Sequence, residues 1–398
     1  MSGALQHGGA TLPIKVHHNS PGHWGIRALW VLATVLFLLY VPTKSQTGTI
    51  VDMTNALQLA IAAMALNLAM GFGGIISIGH SAYFGFGGYT AAVLIDHYDW
   101  SQGWTLYVAA VLGFLVGCAT SLPALRLKGV YLALVTLGLA VLFPQLVKWK
   151  KAAWLTDGAR GIDRIAYDDI PTWPILGELR RGEGRAVFMW WLTVLVLVLS
   201  YLVCRGIVKS RVGRSLIAIR DNETAAAVMG VNNARTKTLV FGVSAAMCAS
   251  GGALFAISGN LASPEVPNFT LIGSIVFLLV MVLGGAATLW GPIVGAIVYV
   301  FIETRTREGE GAVGEVSDWL FGWILEGSPA RLILAIILLA MMFLAPFGIV
   351  GLLKRIAAKF IVIVPTTAGT NPTIEVDEAP PPAVDEPFLS ITTGETSP

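Results

Sequence analysis

Between Met53 and Ile95 the chain runs for 43 residues without one Asp, Glu, Lys or Arg. A helix crosses the hydrocarbon of a bilayer in about 20 residues, so this block must cross twice. A second charge-free block, Val266 to Ile302, is again too long for one crossing. Charged residues make up 13% of the chain, against about 25% in soluble domains, and the mean hydropathy is +0.72. The sequence is that of an all-α polytopic membrane protein. Its net charge of +2 carries no information on partners, because the charges sit in connections and are not spread over one surface.

The remaining crossings follow from the same reasoning. Ala28 to Pro42 reads as a retained first span, preceded by a polar tail, residues 1–24, with scattered His7, His17, His18 and His23. Met53–Ile95 supplies spans two and three, Trp104–Leu125 the fourth, and Gly129–Val147 the fifth, which Pro144 should kink or end. Arg126-Leu127-Lys128 is the short link between the last two. Ala186–Cys204, Thr238–Ile257, the block Val266–Ile302 and Arg331–Leu353 complete about ten spans within a transmembrane region 25–355. With the N-terminus inside, 14 of the 26 Lys and Arg are cytoplasmic, and 8 of the other 12 lie in one long connection, Lys148 to Arg185. Long loops cross largely regardless of charge, so the short loops decide, and both termini are placed in the cytoplasm. Residues 360–398 are acidic and Pro-rich with no Lys or Arg, a composition that predicts disorder. Cys118, Cys204 and Cys248 fall in or at the end of apolar segments and read as small packing residues.

The middle of the first block, G-F-G-G-I-I-S-I-G-H-S-A-Y-F-G-F-G-G-Y (71–89), is dense in glycine. Glycines in an apolar stretch permit either close helix contact or a break, and freed backbone is tolerated only where protein or a water-filled cavity covers it. Two readings follow, lining of a solute path or packing alone. The path residues would be Gly74, Ser77, Gly79, His80, Phe84, Gly85, Gly88 and Tyr89. His80 is the one imidazole or charge-bearing side chain of the block; it is either functional or a neutral ring hydrogen-bonded at a helix end. In the second block V-L-G-G-A-A-T-L-W-G-P-I-V-G adds Gly284, Gly285, Trp290 and Gly291. Gly79 with Phe84-Gly85 and Gly285 with Trp290-Gly291 share G-x-x-x-x-[FW]-G. An offset of about five spans, an odd number, makes a five-plus-five repeat inverted in topology; the alternative is a chance match.

Between Arg205 and Lys237 lie seven Lys or Arg against Asp221 and Glu223, which places this connection in the cytoplasm. Asp221 or Asn222 can cap a helix of roughly two turns through Ala225, Ala226 and Ala227, and Gly230 followed by Asn232 can end it. A helix so short needs a docking surface, which reads as a contact made for another protein.

The pattern G-R-x-L-x-A-I-R (213–220), followed by Glu223, Ala227 and Gly230, resembles the cytoplasmic coupling loop of ABC-importer permeases. The likeness is nearest to the branched-chain amino acid permease family and its M-type member. Gly71, Gly74, Ser77, Gly79, Phe84, Gly87 and Tyr89 resemble the family's N-terminal signature, with the Phe one residue late. L-R-L-K-G-V-Y-L-A-L-V-T-L-G (125–138) and L-T-D-G-A-R-G-I (155–162) are also similar to family segments, the latter external and with Asp157 where Gly is expected. The resemblance covers roughly residues 50–350. It implies that Gly213, Arg214, Arg220, Glu223, Ala227 and Gly230 couple to a separate ATPase. It also implies an H-type second permease, an extracytoplasmic solute-binding protein, and a multi-pass place in the bacterial cytoplasmic membrane.

No Gly-Lys dipeptide and no H-E-x-x-H occurs, so the chain has neither a P-loop nor a zincin motif. ATP and Mg would belong to the partner subunits; the chain itself calls for no cofactor, no metal and no nucleic acid. A permease for branched-chain amino acids is the leading reading, with Ser263-Pro264-Glu265 and Leu283-Gly284-Gly285 closer to the amino-acid branch than to the urea or amide branch. An ion-coupled secondary carrier is the alternative from another class, with His80 as its one candidate. An intramembrane enzyme lacks any paired catalytic constellation.

Overall fold

The computed structural model describes residues 36–163 except 37, 44 and 125–129, then 165, 181–308 and 348–364, together with 14–17 and a few positions between 336 and 343. Most of the expected first span, the link 126–128, part of the long connection, most of the tenth span and most of both tails lie outside the described residues.

Helices dominate. In chain order they are α1 (Thr47–Leu66), extended by a π-helical turn (Asn67–Phe72), α2 (His80–Tyr98), α3 (Gln102–Ala124), α4 (Val130–Val147) and α5 (Ala153–Thr156). There follow α6 (Arg181–Lys209), α7 (Arg211–Asp221), α8 (Glu223–Val228), α9 (Asn233–Gly259), α10 (Leu271–Gly284), α11 (Gly291–Glu308) and α12 (Gly348–Phe360). Strands β2 (Ile162–Asp163) and β3 (Leu261–Ala262) form a short antiparallel pair, and β1 (Ile14–His17) pairs in parallel with β4 (Ile361–Val364).

Four of these stretches, Thr47–Phe72, Gln102–Leu122, Gly184–Lys209 and Asn233–Gly259, are long and apolar enough to cross a membrane. Tyr131–Val147, Leu271–Gly284 and Gly291–Thr304 are apolar but shorter. The expected crossings are thus represented by four long helices and several short ones. Within an apolar 18-residue stretch of each, 83% of Thr47–Phe72 and 78% of Asn233–Gly259 are buried, against 33% for Gln102–Leu122, which makes α1 and α9 the inner pair. α9 packs on α1, α2 and α3, while α1 also meets α6, α10 and α11.

Without a hydrophobic drive between helices in lipid, small residues set how closely they approach. At the α2–α9 crossing Gly87 lies on the backbone of Ala249 and Gly252 on the backbone of Phe84. Gly113 and Gly117 of α3 sit on the methyl groups of Ala249 and Ala245. Pro144 neither ends α4 at once nor breaks it: the helix continues to Val147, and Lys148 N still donates to Pro144 O at 3.1 Å.

The connections sort onto two opposite faces. Lys148 meets Glu265 at 3.4 Å, His97 meets Trp154 O, β2 pairs with β3, and Thr47 shares a cavity with Arg185 and Ser258. All of these lie on one face. The turn ending α1 and the segment 209–237 lie on the other. Asp157, at the position where the family pattern expects glycine, has φ 53° and is left-handed.

Candidate functional site

The first charge-free block breaks as its glycines suggest, but the break re-enters the protein. α1 runs through its π turn to Phe72, Gly74 takes φ 64°, and residues 73–79 carry no helix until α2 begins at His80. His80 does not start at the membrane face. Its ring meets Ser244, the eleventh residue beyond the start of the 27-residue α9, hence about 17 Å along that helix at 1.5 Å per residue. The N-terminus of α2 is therefore buried near mid-depth.

A chain of hydrogen bonds holds it there. Ser244 Oγ donates to Ala65 O at 2.6 Å and lies 2.7 Å from His80 Nε2. A hydroxyl has one proton, so the ring must supply the second hydrogen bond, which fixes the neutral Nε2–H tautomer. Nδ1 then accepts from Ser77 Oγ at 3.1 Å. Cys248 Sγ donates to His80 O at 3.1 Å, and Ile78 N to Thr136 Oγ1 at 3.0 Å. Ser274 Oγ, on α10, accepts from Ser81 N at 2.9 Å and donates to Ser81 Oγ at 2.7 Å. His80, Ser81 and Ser244 are fully buried. Five helices, α1, α2, α4, α9 and α10, and the re-entrant segment meet in this knot.

Outward from it the surroundings are aromatic. Phe84 packs on Phe277 with ring centroids 5.1 Å apart, and Phe255 and Phe269 close the cluster. Ser81 with Phe84 and Ser274 with Phe277 have the same spacing, and each member meets its counterpart. Positions 81 and 274 thus face each other. Gly285 instead lies by Gly348 and α11, and Trp290 is half exposed with its ring 5.0 Å from Tyr201. The two copies of the G-x-x-x-x-[FW]-G pattern thus sit in different surroundings. Among the predicted path residues, Gly79 backs on Thr136, Gly85 on Phe143, Gly88 on Phe269, and Gly284 on Gly291, all as packing contacts. The Tyr89 hydroxyl and Gln58 Oε1 are buried without a hydrogen-bond partner.

Sequence reasoning missed Asn67, Ser81, Thr136, Ser244 and Ser274. Asn67, in the π turn, grips the second block with both ends of its amide: Nδ2 donates to Thr288 O at 2.8 Å and Oδ1 accepts from Ala287 N at 2.9 Å. The available signal was a polar side chain inside an otherwise apolar run, which in lipid needs a partner.

The cytoplasm-type connection holds two helices where one was expected. Ser210 caps α7 by accepting from Val212 N at 3.1 Å, and Gly213, Leu216 and Ile219, at helical spacing, form its buried stripe. Leu216 is fully buried against Gly73, and Arg220 lies on Gly74 with Nη1 3.5 Å from Gly71 O. Arg214 is exposed. Asn222, one of the two expected caps, starts α8 by accepting from Thr224 N and Ala225 N. Gly230 takes φ 85° after the helix, as a glycine terminator does. Glu223 does not point outward: its carboxylate binds Lys237 Nζ at 2.7 Å, and Lys237 is buried in α9. Ala227, Val228 and Met229 are exposed, the last two at 81% and 83%, so the tip of the loop is apolar and uncovered. Among the described residues no group of His, Cys, Asp or Glu is arranged to hold a metal ion.

A knot beneath a re-entrant segment, pressed by a two-helix loop with a bare apolar tip, is an arrangement to compare with known proteins. Residues 52–345 match the model of the family described as branched-chain amino acid transport system, permease component. The chain belongs to this family. It is 30% identical over 300 residues to the high-affinity branched-chain amino acid transport system permease protein LivM of Escherichia coli strain K12, covering 70% of this chain and 68% of that protein. It is 29% identical over 207 residues to the probable LivM permease protein of Methanocaldococcus jannaschii, covering 50% of this chain and 54% of that one. No solved structure matches. The permease is a multi-pass membrane protein of LivM type, and the break, the knot and the two-helix loop all fall inside the matched region.

Proposed function

We propose that this permease forms one half of the membrane path of an importer for branched-chain amino acids, opened alternately to the two sides by separate ATPase subunits. The observation that carries the reading is the seat of α7 on the re-entrant segment. Leu216 and Arg220 bear on Gly73 and Gly74, seven and six residues before His80. A push on α8 from an ATPase would travel through α7 and this segment to the buried start of α2. The apolar tip at Ala227, Val228 and Met229 fits a groove on such a partner, and Glu223 with Lys237 ties the tip to α9. The unpartnered hydroxyl of Tyr89 and Oε1 of Gln58 favour a path wetted by water or solute, since buried polar atoms otherwise find partners.

The facing of Ser81 with Ser274 and Phe84 with Phe277 supports a five-plus-five inverted repeat whose axis passes between α2 and α10. The grouping of connections on two faces supports about ten passes, both termini in the cytoplasm, and a solute-binding protein resting by the connection 148–165. The exposed apolar rows of α3, α4 and α6 face lipid and an H-type partner. His80 has both ring nitrogens engaged in protein hydrogen bonds, which favours a locking role over ion coupling.

The test is co-purification with the products of its genomic neighbours, followed by leucine uptake and ATPase activity in proteoliposomes. An ATPase subunit should come down with the chain, and Arg220→Ala should uncouple hydrolysis from uptake. Uptake driven by an ion gradient without ATP would overturn the reading.

A further inference from the structure

On the face opposite the two-helix loop, a cavity of about 310 Å³ lies between the start of α1, the start of the α6 span and the end of α9. Small-molecule sites occupy about 300–1,000 Å³, so it has room for one small solute. Its cation is Arg185, half-buried, whose Nη2 donates to Ile257 O at 3.4 Å. Among the described residues no carboxylate stands within ion-pair distance of it. A guanidinium has five N–H donors in a planar fork that matches a carboxylate. Thr47 and Ser258 line the same space, and the N-cap residue of α1, Gln46, makes no side-chain capping bond. The positive end of the α1 dipole thus adds to the charge of Arg185. Val51, Ala186 and Met189 supply an apolar wall.

A cationic fork beside a short apolar wall matches the two ends of an aliphatic α-amino acid. We propose that this cavity is the first docking site of the solute on the arrival face, with Arg185 holding the α-carboxylate and Val51, Ala186 and Met189 taking the side chain. The inference rests on the importer reading and names where that importer first takes its solute.

The experiment uses the complete complex, this chain with its paired permease, ATPase subunits and binding protein, in proteoliposomes and nanodiscs. Binding of leucine and of leucinamide, which lacks the carboxylate, is measured without the binding protein, and labelled leucine uptake is measured with it. The wild type should bind leucine at least about tenfold more tightly than leucinamide, the scale of a hydrogen bond to a charged group. Arg185→Gln should weaken leucine about tenfold or more and leave leucinamide unchanged, and Arg185→Lys should recover part of the loss. Equal leucine affinity in wild type and Arg185→Gln, or equal affinity of the wild type for the two ligands, overturns the proposal. If wild-type uptake proceeds and only these contrasts fail, the site is wrong and the importer stands; if the wild type shows no ATP-driven uptake, the importer reading fails first. Loss of co-purified anionic phospholipid from Arg185→Gln, with leucine affinity intact, makes the cavity a lipid site and also overturns the proposal. Should Arg185→Gln not assemble, Arg185→Lys and the leucine–leucinamide contrast on the wild type decide.

Discussion

Ser244→Ala is the sharpest probe of the buried knot. Ser244 Oγ makes two hydrogen bonds, to Ala65 O at 2.6 Å and with His80 Nε2 at 2.7 Å. Alanine removes both and leaves the ring N–H unpaired in a site with 0% exposure. A buried donor without a partner costs about 1–3 kcal/mol, while side-chain bonds between membrane helices average about 0.6 kcal/mol and reach about 1.7. The expected loss is therefore about 1–2 kcal/mol. The protein carries its own reporters, because Cys204 and Cys248 are buried and react with a thiol-sensitive dye once α6 and α9 separate. Thermal unfolding followed by that dye on wild type, Ser244→Ala, His80→Ala and the double variant forms a cycle. The hydrogen-bond chain requires a coupling of about 0.6 kcal/mol or more. Additivity within about 0.3 kcal/mol, the behaviour of independent sites, would refute the tautomer and the chain built on it.

Other outcomes follow from the same geometry. Gly252→Ala places a methyl on the backbone of Phe84 and should cost about 2 kcal/mol or more through overpacking, whereas Gly138→Ala, which meets nothing within 4 Å, should be neutral in the same dye assay. Glu223→Gln and Lys237→Met should each weaken ATPase coupling, and the double variant should lose less than the two effects combined, because neither then leaves an unpaired partner at the 2.7 Å contact. Val228→Ser with Met229→Ser should change stability by less than about 0.5 kcal/mol yet abolish co-purification of the ATPase, since both side chains are exposed on the loop tip. Asn67→Ala should release the turn at Ala287 and Thr288 and lower the unfolding midpoint by less than Ser244→Ala does, for the two backbone groups it strands are only partly buried.

The sequence by itself determined that the chain is a multi-pass, helical membrane protein, and it supplied the expectations for how often the chain passes and which connection meets the cytoplasm. Charges are costly in hydrocarbon, so the uncharged lengths at 53–95 and 266–302 carry the expectation of paired passes and the basic run 205–237 the expectation of a cytoplasmic side. It also narrowed the cap to Asp221 or Asn222 and pointed to the glycine terminator at Gly230 and to the family, because these are local patterns. It did not give α7, whose stripe Gly213, Leu216, Ile219 is too brief to stand out, nor the inward turn of Glu223. Tertiary structure alone decided that α2 starts at mid-depth, that Ser244 meets Ala65 across 179 residues, and that Ser81 meets Ser274 across 193. In lipid a surface that faces another helix is as apolar as one that faces acyl chains, so hydrophobic pattern cannot tell them apart. What separates them is where each small residue lets backbones touch and where each polar atom finds its partner, and both depend on the assembled helices.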